Sequence, residues 1–287
     1  MKKKILILIM MVFLTSACLK QDDMQDIEII TTSYPLEYVV NYLYGDNSKV
    51  ESIYPDGSDA KNVKFNAKQL KDFSNKDLYA YLGKVKKQSD IAVELKNNNR
   101  KLLLIDGSLG IDIEYGVEET WIDPSNMLMI VQNVRKGLNE YVKSTYLTKN
   151  IEEKYELLKV ELSNLDAEFR LAASNADRKI IVVSNNALNF LSKYGFEVIS
   201  IGDEIVPEKI IADIQNLINN NQIQYIYSLE HEEKNEYLDQ LMRETAVKNL
   251  VFKSTETITD EERKSDLNYI SLMRENINLI KEGTYNK

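Results

Sequence analysis

Apolar residues along the chain fall into short runs and one long stripe. Ile27 to Thr32 is a short run rich in β-branched residues, which predicts a buried strand. Pro35 follows in the first turn of a helix over Leu36 to Leu43, where its missing N–H would have had no partner. The pattern then predicts a strand at Val50 to Tyr54, a polar loop over 55–64, a short helix from Phe65 to Phe73 and a strand at Leu78 to Leu82. Ile91 to Leu95 belongs to a further helix. Leu102 to Ile105 is a strand running into the turn Asp106-Gly107-Ser108, and residues 125–147 read as helix.

The stripe comes next. Ile151, Tyr155, Leu158, Leu162, Leu165, Phe169 and Ala172 recur in steps of four and three, one continuous apolar face of a long helix. About three heptads is short for a coiled coil, so a helix lying across two lobes fits better. Beyond it the alternation restarts. Strands are predicted at Ile180 to Val183, Val198 to Ile201, Ile223 to Tyr227 and Leu250 to Phe252. Helices fall at Ala187 to Tyr194, Lys209 to Ile218, Glu232 to Thr245 and Tyr269 to Ile280. The fold class is therefore α/β: two α/β lobes with parallel sheets, joined by one long rigid helix. The expected divisions are an N-terminal lobe over 26–148, the linking helix over 149–175 and a C-terminal lobe over 176–287. Ligands of such folds bind outside the carboxyl ends of strands, often between lobes.

The start of the chain adds a location. Lys2, Lys3 and Lys4 precede the apolar run Ile5 to Leu14, then Thr15, Ser16 and Ala17, then Cys18. A basic head, a short apolar run and small residues before a cut site make a secretory signal over 1–17. The run is too short to span a bilayer. The stretch resembles the lipobox of bacterial lipoproteins, with Leu14 one place further from the cysteine than usual. Cys18 is the only cysteine, so an internal disulfide is impossible, and lipidation at Cys18 accounts for it. Each buried acyl methylene contributes about 0.8 kcal/mol of membrane affinity. Residues 18–25 are then a lipidated tether, and the expected location is the extracytoplasmic face of the cell membrane. Loss of the three lysines leaves the mature chain three charges more acidic than the −9 of the whole. That balance argues against a nucleic-acid partner.

Five segments in order resemble the bacterial solute-binding proteins that feed zinc or manganese to ABC importers. They are TTSYPLEYVVNYL (31–43), IDGSLGI (105–111), WIDP (121–124), IIVVSNNALNFLSKYGF (180–196) and NYISLMRENINLI (268–280). The resemblance covers nearly the whole mature chain. It implies two α/β lobes on one rigid helix, an ABC permease in the membrane as partner, a monomer, and a divalent metal ion as transported ligand. No cofactor beyond that ion is implied.

The family's ligands are usually three histidines and one carboxylate, brought by four loops. Carried over residue by residue, those positions fall on Lys61, Glu119, Asn185 and Glu256. None is histidine, and the only histidine in the chain is His231. A shift of a residue or two at Lys61 brings none closer. A protonated lysine has no lone pair for a metal. Placed where the ion sits, Lys61 can instead pair with Glu119 and Glu256. Two readings stay open on the sequence. Either Glu119, Glu256, Asn185 and Asp59 hold an oxygen-liking ion such as Mn2+, Ca2+ or Mg2+, or the cleft takes another small solute or nothing. The alternative function is a surface binding or adhesion lipoprotein that keeps the scaffold without serving metal import.

Other candidates read as structural. His231, in Glu230-His231-Glu232-Glu233, is expected at a solvated helix start and not in a metal site. Trp121 is expected as a packed anchor. Asp123 before Pro124 is expected to cap the next helix, and Asp106 to form a turn. The 17 tyrosines are scattered, many at core positions of the helices. No nucleophile elbow, phosphate loop or zinc-hydrolase helix motif occurs, so the chain is not expected to be an enzyme.

Overall fold

A computed structural model describes residues 24–286. The expected signal peptide, Cys18 and most of the expected tether lie outside the described residues.

Two parallel four-stranded sheets carry the architecture. The first is built from β1 (Ile27–Thr31), β2 (Ser48–Ser52), β3 (Leu78–Tyr81) and β4 (Leu103–Asp106), in the order β2-β1-β3-β4. Its crossovers are α1 (Tyr34–Tyr44), α2 (Ala67–Ser74) and α3 (Lys86–Asn98). A one-turn helix, α4 (Glu119–Ile122), and α5 (Pro124–Tyr141) complete the lobe. The second sheet has β5 (Ile180–Val183), β6 (Glu197–Ser200), β7 (Tyr225–Leu229) and β8 (Lys248–Phe252), in the order β6-β5-β7-β8. A 3-10 helix (Asn186–Tyr194), α7 (Glu208–Asn219), α8 (Glu236–Glu244), α9 (Asp260–Lys264) and α10 (Tyr269–Thr284) surround it. Inner strands are buried along most of their length, as parallel strands covered on both faces must be.

Between the lobes runs α6 (Thr145–Ser174), 30 residues and so about 45 Å long. Ile151, Tyr155, Leu158, Leu162, Leu165, Phe169 and Ala172 are all buried on it, and Leu147 extends the stripe. Leu157, Val160 and Leu171 on the opposite face are exposed. One hydrophobic cluster continues from Ile29 and Leu36 of the first lobe, through the α6 stripe, to Val183 and Met273 of the second.

Several elements depart from expectation. The helix expected over 125–147 ends at Tyr141. Val142 leaves helical geometry with ψ 122°, and Ser144 caps α6 by accepting from the Leu147 N–H. The segment 187–194 is helical but 3-10, stopped by Gly195 in the left-handed region at φ 100°. The helix expected from Glu232 starts at Glu236, because Asn235 caps it through the Leu238 N–H. Helix α9 was not expected at all. Its Thr259/Glu262 capping box is the signal that marks it.

Candidate functional site

Each lobe has a crevice outside the carboxyl ends of its strands, where the chain turns from one side of the sheet to the other. In the first lobe it lies between β1 and β3, and it is filled. The Gln88 amide oxygen accepts from the Thr32 hydroxyl at 2.5 Å and the Leu82 N–H at 2.9 Å, with Gln88 only 1% exposed. In the second lobe it lies between β5 and β7, and it opens into a cavity of about 740 Å³. Ser184 follows β5 there, and Glu232 lies beyond β7.

Glu232 is anchored at the head of this cavity. Its carboxylate accepts from the Ser184 hydroxyl at 2.6 Å and the Leu229 N–H at 2.8 Å. Burial pushes its pKa up, against hydrogen bonds from Ser184, Leu229 and Asn185 and the charge of Lys61. Asn185 lines the same cavity and caps the 3-10 helix through the Ala187 N–H. Asn186 donates to Asp203 at 2.7 Å. A Cβ at Gly202 would fall 2.7 Å from the Asn186 nitrogen, so only glycine lets these two loops meet. Asp203, Glu204, Glu232, Glu233 and Glu236 line the cavity, with Lys61 and Lys234 as its cations.

Lys61 reaches the cavity from the first lobe. Asp59 turns its loop by accepting from the Lys61 N–H at 2.9 Å and the Asn62 amide at 2.6 Å. Lys87 holds the loop from behind. Its ammonium donates to the carbonyls of Ala60 (2.7 Å), Lys61 (3.2 Å) and Val63 (2.6 Å), and lies 5.5 Å from the Tyr54 ring centroid. Burial lowers the pKa of Lys87. The Lys61 ammonium itself pairs with Glu118 at 2.9 Å. Burial pulls the Lys61 pKa down, but Glu118, Glu256 and Asp59 outweigh it and the net shift is upward.

Glu119, the position carried over from the resemblance, does something else. Its carboxylate turns away and accepts the N–H groups of Glu114 at 3.1 Å and Tyr115 at 2.9 Å, which braces the loop before α4. Neighbouring residues on a helical turn point about 100° apart, so only one of the two can face Lys61. That one is Glu118.

Glu256 enters from the second lobe on a segment that is stitched to the first. The Tyr34 N–H donates to its carbonyl at 2.9 Å, and the Thr257 hydroxyl donates to the Ser58 carbonyl at 2.9 Å. Thr255 before it has φ 54°, a strained conformation for a β-branched residue. Burial, with Glu118 and Asp59 nearby, pushes the Glu256 carboxyl up to about 7, in spite of Lys61 and Lys87.

Lys61 and Asn185 thus line one cavity, Glu256 lies near enough to Lys61 to help raise its pKa without lining that cavity, and Glu119 turns away. Glu118, which pairs with Lys61, and Glu232, which lines the cavity, are not among the positions that the resemblance singles out. Glu232 lay within a segment read as helix start, although its place just beyond a strand was the available signal. Among the described residues, no group of three or more His, Cys, Asp or Glu side chains is placed to hold a metal ion. His231 is exposed, in a turn at φ 61°. Trp121 is a packed anchor, 1% exposed, donating to the Ser254 carbonyl at 2.8 Å. Asp123 caps α5 through the Ser125 N–H and also pairs with Lys193. Asp106 closes its turn by accepting from Gly83 N–H, Ser108 N–H and the Ser108 hydroxyl, each at 2.8 Å.

Comparison with known proteins places this arrangement. The chain is 26% identical over 284 aligned residues to the zinc-binding lipoprotein AdcA of Streptococcus pneumoniae R6, covering 90% of this chain and 56% of that protein. It therefore spans about half the length of that relative. It is 21% identical to the high-affinity zinc uptake system protein ZnuA of Bacillus subtilis, covering 90% of this chain and 87% of that one. Its fold is that of the Zn(II)-bound ZnuA-like domain of S. pneumoniae AdcA, with TM-score 0.73, 23% identity, and coverage of 91% of this chain and 100% of that domain. The metal-dependent lipoprotein YcdH of B. subtilis gives TM-score 0.74 at 19% identity, covering 91% and 100% of the two chains. These relatives are named for metal binding or zinc uptake. Residues 29–283 match the family described as "Zinc-uptake complex component A periplasmic", and the chain belongs to that family.

Proposed function

We propose that the chain is the solute-binding component of an ABC importer, held at the outer membrane face through Cys18, and that its cleft has lost the zinc site of its relatives. The observation that carries this reading is the 2.9 Å pair between Lys61 and Glu118. An ammonium has donors and no lone pair. It sits where the resemblance places a metal ligand, and it holds the Glu118 carboxylate that turns toward it. Zinc favours imidazole and thiolate, and the only histidine lies outside the cleft. The anchor rests on the lipobox-like sequence ending at Cys18 and on the lipoprotein names of relatives.

The test is metal content of protein purified without chelator, with melts under Zn2+ and Mn2+. A ligand at 100 times its Kd adds about 2.7 kcal/mol. Wild type is expected to hold no stoichiometric metal and to melt unchanged, while Lys61→His combined with Glu118→His and Asn185→His gains zinc-dependent stability. One equivalent of zinc retained by wild type through dialysis would refute the reading.

A further inference from the structure

Of the large apolar side chains that the described residues leave exposed, four lie on one face of α6. Tyr146, Leu157, Val160 and Leu171 are from 55% to 76% exposed. At about 100° per residue they fall within about 60° of arc, so they form one ridge. The opposite face of the same helix carries the stripe that joins the lobes, so packing within the chain does not account for them. A single exposed apolar residue needs no explanation, but four aligned on one helix mark a contact surface.

The spacing identifies what covers the ridge. Tyr146 lies eleven residues before Leu157, and Leu171 lies eleven after Val160. The ridge therefore reads the same in both directions, as a two-fold pairing of one helix with its own copy requires. Laid antiparallel, Leu157 meets Val160 of a second copy and Tyr146 meets its Leu171, each contact made twice. The positions between them also find neighbours. Asn150 meets Ala167, and Glu153 meets Asn164, whose amide is a donor for the carboxylate. From Tyr146 to Leu171 the seam advances in steps of four and three, the pattern of paired helices.

Charge selects the direction. A parallel pair would set Glu153 on its own counterpart in the seam, with Lys149 beside Lys154 and Glu156 beside Glu161 along the flanks. The antiparallel pair sets Glu156 beside Ser163, and it sets Lys154, which also holds Asp46 at 2.6 Å, beside Glu161. Its one like-charged pair is Lys149 with Arg170. Each of those is already turned onto a carboxylate of its own helix, Glu153 at 3.5 Å and Asp166 at 3.2 Å. The seam runs for about 39 Å and is about 10 Å wide, roughly 400 Å² in projection on each copy, which belongs to the small, reversible end of specific interfaces.

We propose that α6 is the contact of a reversible two-fold dimer, antiparallel through Tyr146, Leu157, Val160 and Leu171, in place of the monomer that the resemblance implies. The proposal is independent of what the cleft holds. The experiment is sedimentation velocity over a concentration series, on the chain carrying Cys18→Ser, which removes the acylation site and the only native thiol. A dimer with a Kd of about 10 µM is expected. Leu157→Glu combined with Val160→Glu is expected to weaken it at least about tenfold, with an unchanged circular dichroism melt at low concentration because both side chains are exposed. A dimer that survives this double substitution overturns the proposal, and so does a chain that stays monomeric at about 1 mM. Direction is read from single-cysteine chains under mild oxidation. Tyr146→Cys is expected to crosslink with Leu171→Cys and neither with itself, since like positions lie about 38 Å apart across the two-fold. Tyr146→Cys crosslinking to itself overturns the antiparallel seam. A monomer that pellets with phosphatidylglycerol vesicles, and ceases to in Tyr146→Ser with Leu171→Ser, gives the face to the membrane and overturns the dimer.

Discussion

Glu256 faces Glu118, Asp59, Lys61 and Lys87 from a largely buried position, and its carboxyl titrates near neutral pH. In the unfolded chain the same group has its ordinary value of 4.5. Between 4.5 and about 7 the native state therefore keeps a proton that the unfolded chain has released. The stability this contributes is full below 4.5 and is lost as pH rises through 7, about 3 kcal/mol in all. Urea unfolding at pH 4.5 and pH 8 is expected to show wild type losing that much more than Glu256→Gln across the interval. Parallel behaviour of the two would refute the assignment. Lys61, Asn185 and Glu256 were readable as candidates only through the family resemblance, which carries its ligand positions onto their loops. The choice between Glu118 and Glu119 was not, since it depends on the rotation of a single helical turn.

At the scale of elements, legibility followed the length of the pattern. Helix α6 repeats its apolar stripe for many turns, and every residue assigned to the stripe is buried. Phe169 is its largest contribution toward the second lobe. It is fully buried, stacked on Tyr194 at 5.4 Å and edge-on to Phe190 at 5.8 Å. Phe169→Ala is expected to cost about 3–5 kcal/mol, read as a lower denaturant midpoint with unchanged m-value. Leu171→Ala on the exposed face is expected to change stability by less than about 0.5 kcal/mol. Comparable losses from both would show that the helix is not packed along this stripe. Short elements were less legible because their boundaries rest on capping groups. Ser144, Asn235 and the Thr259/Glu262 pair each set a helix start by local hydrogen bonding, which apolar periodicity does not register.

At the scale of the molecule, the two lobes meet through a segment that also controls the cleft. The Gly57 N–H donates to the Ile258 carbonyl at 2.8 Å. Arg263 then grips the first lobe with its whole guanidinium. Its Nε and one terminal nitrogen hold Asp56 at 2.6 and 2.8 Å, while its terminal nitrogens hold Glu37 at 2.8 and 3.2 Å. Lys87 pins the far end of the same loop, so Lys61 rides on a segment fixed from both lobes. None of this long-range pairing is visible in sequence, where Arg263 and Glu37 are 226 residues apart. Removing the guanidinium leaves Glu37 sheltered without its partner, while the half-exposed arginine limits the gain from each pair. Arg263→Ala is accordingly expected to destabilise by about 1–2 kcal/mol at low salt, less at 1 M salt. Arg263→Lys recovers little, because a point charge cannot fork onto two carboxylates. The sharper readout is amide exchange. Gly57 is expected to lose protection in Arg263→Ala by more than the global loss of stability predicts, because the loop is released locally. If Gly57 tracks global unfolding alone, Arg263 joins the lobes but does not govern the loop that presents Lys61.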